Sequence, residues 1–204
     1  MKKLVTLLSL GLILGFTSAA NASLITSTDY SSVVTAPPAN WTAVDTERLV
    51  DGVTATSGTG RFVGRINSGS ALTSTDSYLI SLNLASLFDI SKVTLFNDYG
   101  VQMTHSVSTL TLSALDAFGA ELYSADLTGL ATGFTPSELF SGSIAGVSTL
   151  NFNITSTNAD SSFEIREIQV EGKASMPSAV AVSAPSALGL LGLAALVLFR
   201  IRRK

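Results

Sequence analysis

From Tyr78 to Glu171 apolar and polar residues change places at every second position again and again, and a period of two belongs to strands with one dry and one wet face. Tyr78, Ile80, Leu82 and Leu84 alternate with Leu79, Ser81 and Asn83; Val93 and Leu95 follow the turn-like Asp89, and Asn97-Asp98-Tyr99-Gly100 closes that strand. Leu110, Leu112 and Ala114 alternate with Thr109, Thr111 and Ser113 ahead of the turn Asp116-Ala117-Phe118-Gly119. Leu150, Phe152 and Ile154 alternate with Asn151, Asn153 and Thr155. No convincing helical period occurs between Ser23 and Glu171, so the chain is expected to be all-β. The last strand carries a change of phase: Phe163 and Ile165 sit on odd positions, Ile168 and Val170 on even ones. A β-bulge near Arg166-Glu167 would restore register, either beside a site or as a correction at a sheet edge.

Such strands must be held by a core alone, because the chain has no cysteine. Ser23 to Ser175 is the size of one domain, large enough to fold without disulfides. That stretch holds all fifteen acidic residues and only six basic ones, a net charge of −9 hidden by the chain total of −3. An acidic domain argues against nucleic acid, which needs a basic footprint, and suits solubility and divalent cations.

The two ends read differently. Lys2 and Lys3, the apolar stretch Leu4 to Phe16 and the small residues ending in Ala20-Asn21-Ala22 have the order of a secretory signal peptide over 1–22, cleaved after Ala22. The alternative is a retained helix, but the apolar stretch is shorter than the roughly 20 residues a bilayer crossing needs. At the other end, within 176–204, Ala179 to Phe199 carries no charge. As a helix it would be about 31 Å long, near the ~30 Å hydrocarbon core, although Pro185 could delay its start. Arg200, Arg202, Arg203 and Lys204 would hold the cytoplasmic side of the inner membrane and leave 23–175 outside.

The tail, with Val182-Ser183-Ala184-Pro185-Ser186, an apolar run and a basic end, resembles a PEP-CTERM sorting signal. Ser183 and Ala184 replace the first Pro and the Glu of the name-giving motif, while Val182 and Pro185 remain. The resemblance implies an exosortase-type membrane protease as partner, a Gram-negative host that makes exopolysaccharide, and passage through the inner membrane to the cell surface or medium. Whether the tail is cut or kept as an anchor stays open, and an ordinary single-pass anchor is the alternative.

A second resemblance covers most of Ser23 to Gly172. Leu49-Val50-Asp51-Gly52, the strands Tyr78 to Leu84 and Ile90 to Asn97, and the closing Phe163 to Gly172 look like a discoidin-type, galactose-binding-like jelly roll, a β-sandwich. Its D-G-x-x-x-T loop is matched by Asp51, Gly52 and Thr56; Val53 and Ser57 depart from it, standing where the family usually has Asn or Asp and often an aromatic. Many members hold a structural Ca²⁺ there. The resemblance implies as its ligands the Asp51 carboxylate, the Val53 carbonyl, the Thr56 oxygens and the Glu167 carboxylate, an oxygen set of the kind calcium takes. The plainer reading is that Asp51-Gly52 is a turn and Glu167 a solvated charge.

For a sugar ligand the chain offers Trp41 as an aromatic face and Arg61 and Arg65 as holders of a carboxylated polysaccharide; the plainer and commoner reading makes Trp41 a lid over the core and the arginines simply solvated. Catalytic residues are not expected. His105 is the only histidine and reads as a surface residue, and no G-x-S-x-G or H-E-x-x-H spacing occurs. The expectation is an exported, non-catalytic protein that binds or organises exopolysaccharide, with a purely structural matrix or coat component as the alternative.

Overall fold

The computed structural model describes residues 21–54, 62–66, 72, 77–97, 105–132, 135–158 and 162–176. Residues 1–20 of the expected signal peptide, Thr56, Arg61, and the sorting motif Val182, Ser183, Ala184, Pro185 and Ser186 lie outside them. Among the described residues the regular structure is β, with short 3-10 turns at Ser27–Asp29 and Thr46–Val50. No helix among them is long and apolar enough to cross a membrane.

The strands are β1 (Ser23–Leu24), β2 (Tyr30–Ala36), β3 (Trp41–Val44), β4 (Phe62–Ile66), β5 (Tyr78–Asn97), β6 (Val107–Leu115), β7 (Glu121–Thr128), β8 (Ser137–Thr157) and β9 (Ser162–Ala174). Hydrogen bonding runs β3-β4-β9-β5-β8-β6-β7, with β1 added to β9 and β2 to β5, all antiparallel. One continuous ladder makes two layers because β5 and β8 turn a corner together. The first part of β5 pairs with β2 and the second with β9, while β8 accompanies it throughout. Register shifts between Asn83 and Lys92 mark the corner.

The alternating residues behave as their period requires. Tyr78, Ile80, Leu82, Leu110, Leu112, Ala114, Leu150, Phe152 and Ile154 are all buried, and they meet Val93, Leu95, Phe163, Ile165, Ile168 and Val170 in one core. Two expectations need correction. Asp89 does not end a strand: it lies at the corner of a single 20-residue strand, where its Oδ1 accepts from Gly146 N at 3.1 Å and from Ser175 Oγ. The bulge in β9 is not at a sheet edge either, since β9 lies between β4 and β5. Phe96 pairs with Glu167 and Asn97 with Ile165, which leaves Arg166 as the extra residue.

The topology gives the sandwich two unlike poles. Asn97, Val107, Thr157, Ser162 and Ile66 end or begin their strands at one pole, from which three of the four longer connections spring, 67–77, 98–106 and 129–136; the fourth, 45–61, leaves from the other end of β3. The corners of β5 and β8, the turn between β6 and β7, the start of β1 and the end of β9 lie at the other.

Candidate functional site

Glu167 is the residue around which a site is built. Its place just past the bulge turns it off the regular alternation, and it is 3% exposed, so the solvated charge of the plainer reading is excluded. Gly52, at φ 81°, turns its N–H toward β9 and donates to Glu167 Oε1 at 3.1 Å. Glu167 Oε2 is buried with no hydrogen-bond partner. Leaving a buried carboxyl oxygen so is costly, which makes this atom the strongest pointer to a ligand position.

The 3-10 turn Thr46–Val50 delivers Asp51 to the same place by burying Leu49 and Val50 in the core. Asp51 Oδ1 accepts from Val53 N at 2.8 Å, and Asp51 Oδ2 pairs with Arg48 Nη1 at 3.1 Å. Val53 itself is exposed. Pairing of Ser23 and Leu24 with Gly172 and Glu171 brings the N-terminal segment across the front. Leu24, Ile25, Thr26, Ser27, Val50, Asp51, Gly52 and Glu167 then line a cleft of about 100 Å³.

The field in the cleft is that of crowded acid. Burial pushes the Glu167 carboxyl up to about 8 against the pull of the Gly52 N–H, and the Asp51 charge adds to the rise. Burial also lifts the Tyr30 hydroxyl above the ordinary tyrosine range, with further contributions from Glu167 and Asp29. That hydroxyl is buried and has no hydrogen-bond partner. Two carboxylates, one with a free oxygen, beside hydroxyl and carbonyl oxygens fit a small oxygen-seeking cation. Among the described residues no three acidic or histidine side chains converge on a metal position, so neutral oxygens would have to complete its shell. Leu24 to Ser27 and Tyr30 were not legible as site residues: nothing in the sequence says that β1 lies on β9.

The sugar candidates are not brought together there. Trp41 is 6% exposed, its ring centroid 6.2 Å from Tyr78 and 6.0 Å from Phe163, so its ring packs in the core, as the lid reading had it, and offers no open platform. Arg65 sits on β4 opposite Thr42 and Ser162, at the pole of the longer connections. That pole is stiffened from within. Arg166, 1% exposed, donates from Nε and Nη2 to Asn97 O at 3.3 Å and lies 5.9 Å from the Phe96 ring centre. The Asn97 side chain exchanges hydrogen bonds with Val107 N and O. His105 is not simply a surface residue: its Nδ1 is buried and 3.8 Å from Glu164 Oε1.

No family model matches the chain, and no curated protein does. Solved structures do match, and they define the class of fold: a discoidin-type, galactose-binding-like β-sandwich. A family 32 carbohydrate-binding module from Clostridium perfringens, solved with galactose, is 12% identical at a TM-score of 0.57, over 74% of this chain and 99% of that one. A second family 32 module, from a family 31 glycoside hydrolase of the same organism, is 14% identical at 0.54, over 74% and 95%. An F5/8 type C domain from Bacteroides fragilis is 11% identical at 0.54, over 76% and 99%.

Proposed function

We propose that this chain is an exported protein whose sandwich binds or organises exopolysaccharide without catalysis, sorted through its C-terminal signal by an exosortase-type protease. One observation carries the sugar-binding part: the described unit corresponds to nearly the whole length of a module solved with galactose. Export and sorting rest on the sequence of the two ends. The binding surface is assigned to the pole of the longer connections, where Arg65 sits on β4 and where Arg166 and Asn97 hold the ends of β5, β6 and β9 in place. The acidic cleft is assigned a structural Ca²⁺, held by Glu167 and Asp51 with neutral oxygens from the neighbouring loop, Val53 and Thr56 included. The ion would supply positive charge to a buried carboxyl whose Oε2 otherwise lacks a partner and tie the Asp51 loop to β9.

A glycan array with residues 23–175 tests the assignment. Binding to one class of acidic or galactose-bearing glycan, lost in Arg65→Ala but kept in Glu167→Gln, is expected. The second reading, a matrix or coat component with no sugar ligand, is favoured by the burial of Trp41, and an array without any signal would select it.

A further inference from the structure

The pole opposite the longer connections gathers apolar side chains that the core does not use. Among the described residues Leu24, Val34, Val44, Val53, Leu87, Phe118, Leu122 and Met176 are large, apolar and exposed. Leu24, Leu87, Phe118, Leu122 and Met176 lie at this one pole: at the start of β1, at the β5 corner, on the β6–β7 turn, at the start of β7 and just past β9. Single exposed apolar residues are ordinary; their collection at one end is not.

Phe118 is the extreme case, 95% exposed on a turn that holds it outward. Asp116 Oδ1 accepts from Phe118 N and Ala120 N, each at 2.8 Å, and Gly119 N donates to Asp116 O at 3.1 Å. Ser148 Oγ donates to Asp116 O at 2.6 Å and fastens the turn to β8. Those bonds fix the backbone of the turn that carries the ring outward. The chain leaves the domain at the same pole, because Ser175 N donates to Leu87 O at 2.8 Å and Met176 follows, 78% exposed. Only Pro177 and Ser178 separate Met176 from the start of the uncharged Ala179–Phe199 run, three residue steps or a reach of about 10 Å.

We propose that, while residues 179–199 sit in the bilayer, this pole lies on the membrane and Phe118, Leu87, Leu122 and Met176 enter its interfacial layer. The proposal rests on the membrane reading of the C-terminal segment. The occupant is a lipid surface and not an anionic headgroup as such: Asp89, Asp116 and Glu121 outnumber Lys173 at this pole, so attachment is apolar and indifferent to lipid charge. The domain then stands with its Arg65 pole pointing away from the membrane.

A chain without cysteine allows single labels. Cysteine placed at Phe118 or, as control, at Val34 on the middle of β2 is coupled to an environment-sensitive fluorophore in the full-length chain. The chain is reconstituted in phosphatidylcholine vesicles with or without brominated acyl chains. The label at 118 loses about half its emission to the bromines and the label at 34 keeps its own, with no change when phosphatidylglycerol is added. Co-flotation of the chain with an unquenched label at 118, or equal quenching at both sites, overturns the proposal and leaves the anchor standing. A chain that does not float with vesicles overturns the anchor reading and the proposal with it.

Discussion

Tyr30 and Arg166 show opposite treatments of a buried polar group. The Tyr30 hydroxyl is buried without a partner, close enough to Glu167 to feel its charge. Removing an unsatisfied group relieves its desolvation cost, so Tyr30→Phe is expected to raise stability by about 1 kcal/mol in a urea titration. A lowered midpoint would show that the hydroxyl has a partner in solution. Arg166 is buried with its guanidinium on Asn97 O and its plane near Phe96. Arg166→Ala removes both the hydrogen bonds and the packing, and a loss of about 3 kcal/mol is expected by the same titration. A loss under about 1 kcal/mol would mean that the bulge does not depend on it. The odd-to-even change of phase between Ile165 and Ile168 made the bulge legible in the sequence. What filled it was not legible, because a buried arginine looks like any other charge until its neighbours are known.

At the scale of elements, the alternation of Tyr78, Ile80 and Leu82 and of Leu150, Phe152 and Ile154 gave each strand and its inward face. It did not give the corner. Asp89 resembles a turn residue, yet hydrogen bonds from Gly146 and Ser175 let the chain bend there without leaving the sheet. The same corner needs Gly172 on β9, where a Cβ would come within 2.7 Å of Asp89 O, a backbone atom that cannot move aside. Gly172→Ala is expected to cost about 2 kcal/mol, read as a fall in melting temperature of roughly 4–8 °C. An unchanged melting temperature would show that β5 and β9 slide apart freely. The cleft was half legible: Asp51, Gly52 and Glu167 could be named, whereas Thr26 and Ser27 enter through strand pairing, which no local pattern encodes.

For the molecule as a whole, the cleft and the poles carry different tests. If a calcium ion ties Asp51 to Glu167, calcium at about a hundred times its dissociation constant should raise the melting temperature by about 5–10 °C, and chelator should reverse it. Glu167→Gln, with a similar shape and no charge, is expected to abolish the rise; a rise that survives the substitution would place the ion elsewhere. Composition had made the domain acidic and cysteine-free, which left burial as its source of stability, and the single core bears that out. The orientation proposed for the sandwich was hidden, because it rests on where the last strand ends.

That last strand sets how the protein meets mechanical load. β9 is flanked by β4 and β5, with β1 added beside it, and the chain leaves from its far end. If the C-terminal segment acts as a tether, a tug on it runs along the strand, and many hydrogen bonds share it in shear instead of opening one after another like a zip. A domain held in this way would resist flow and drag through its interior, by a lengthwise grip on the strand that also bears Glu167 and Arg166.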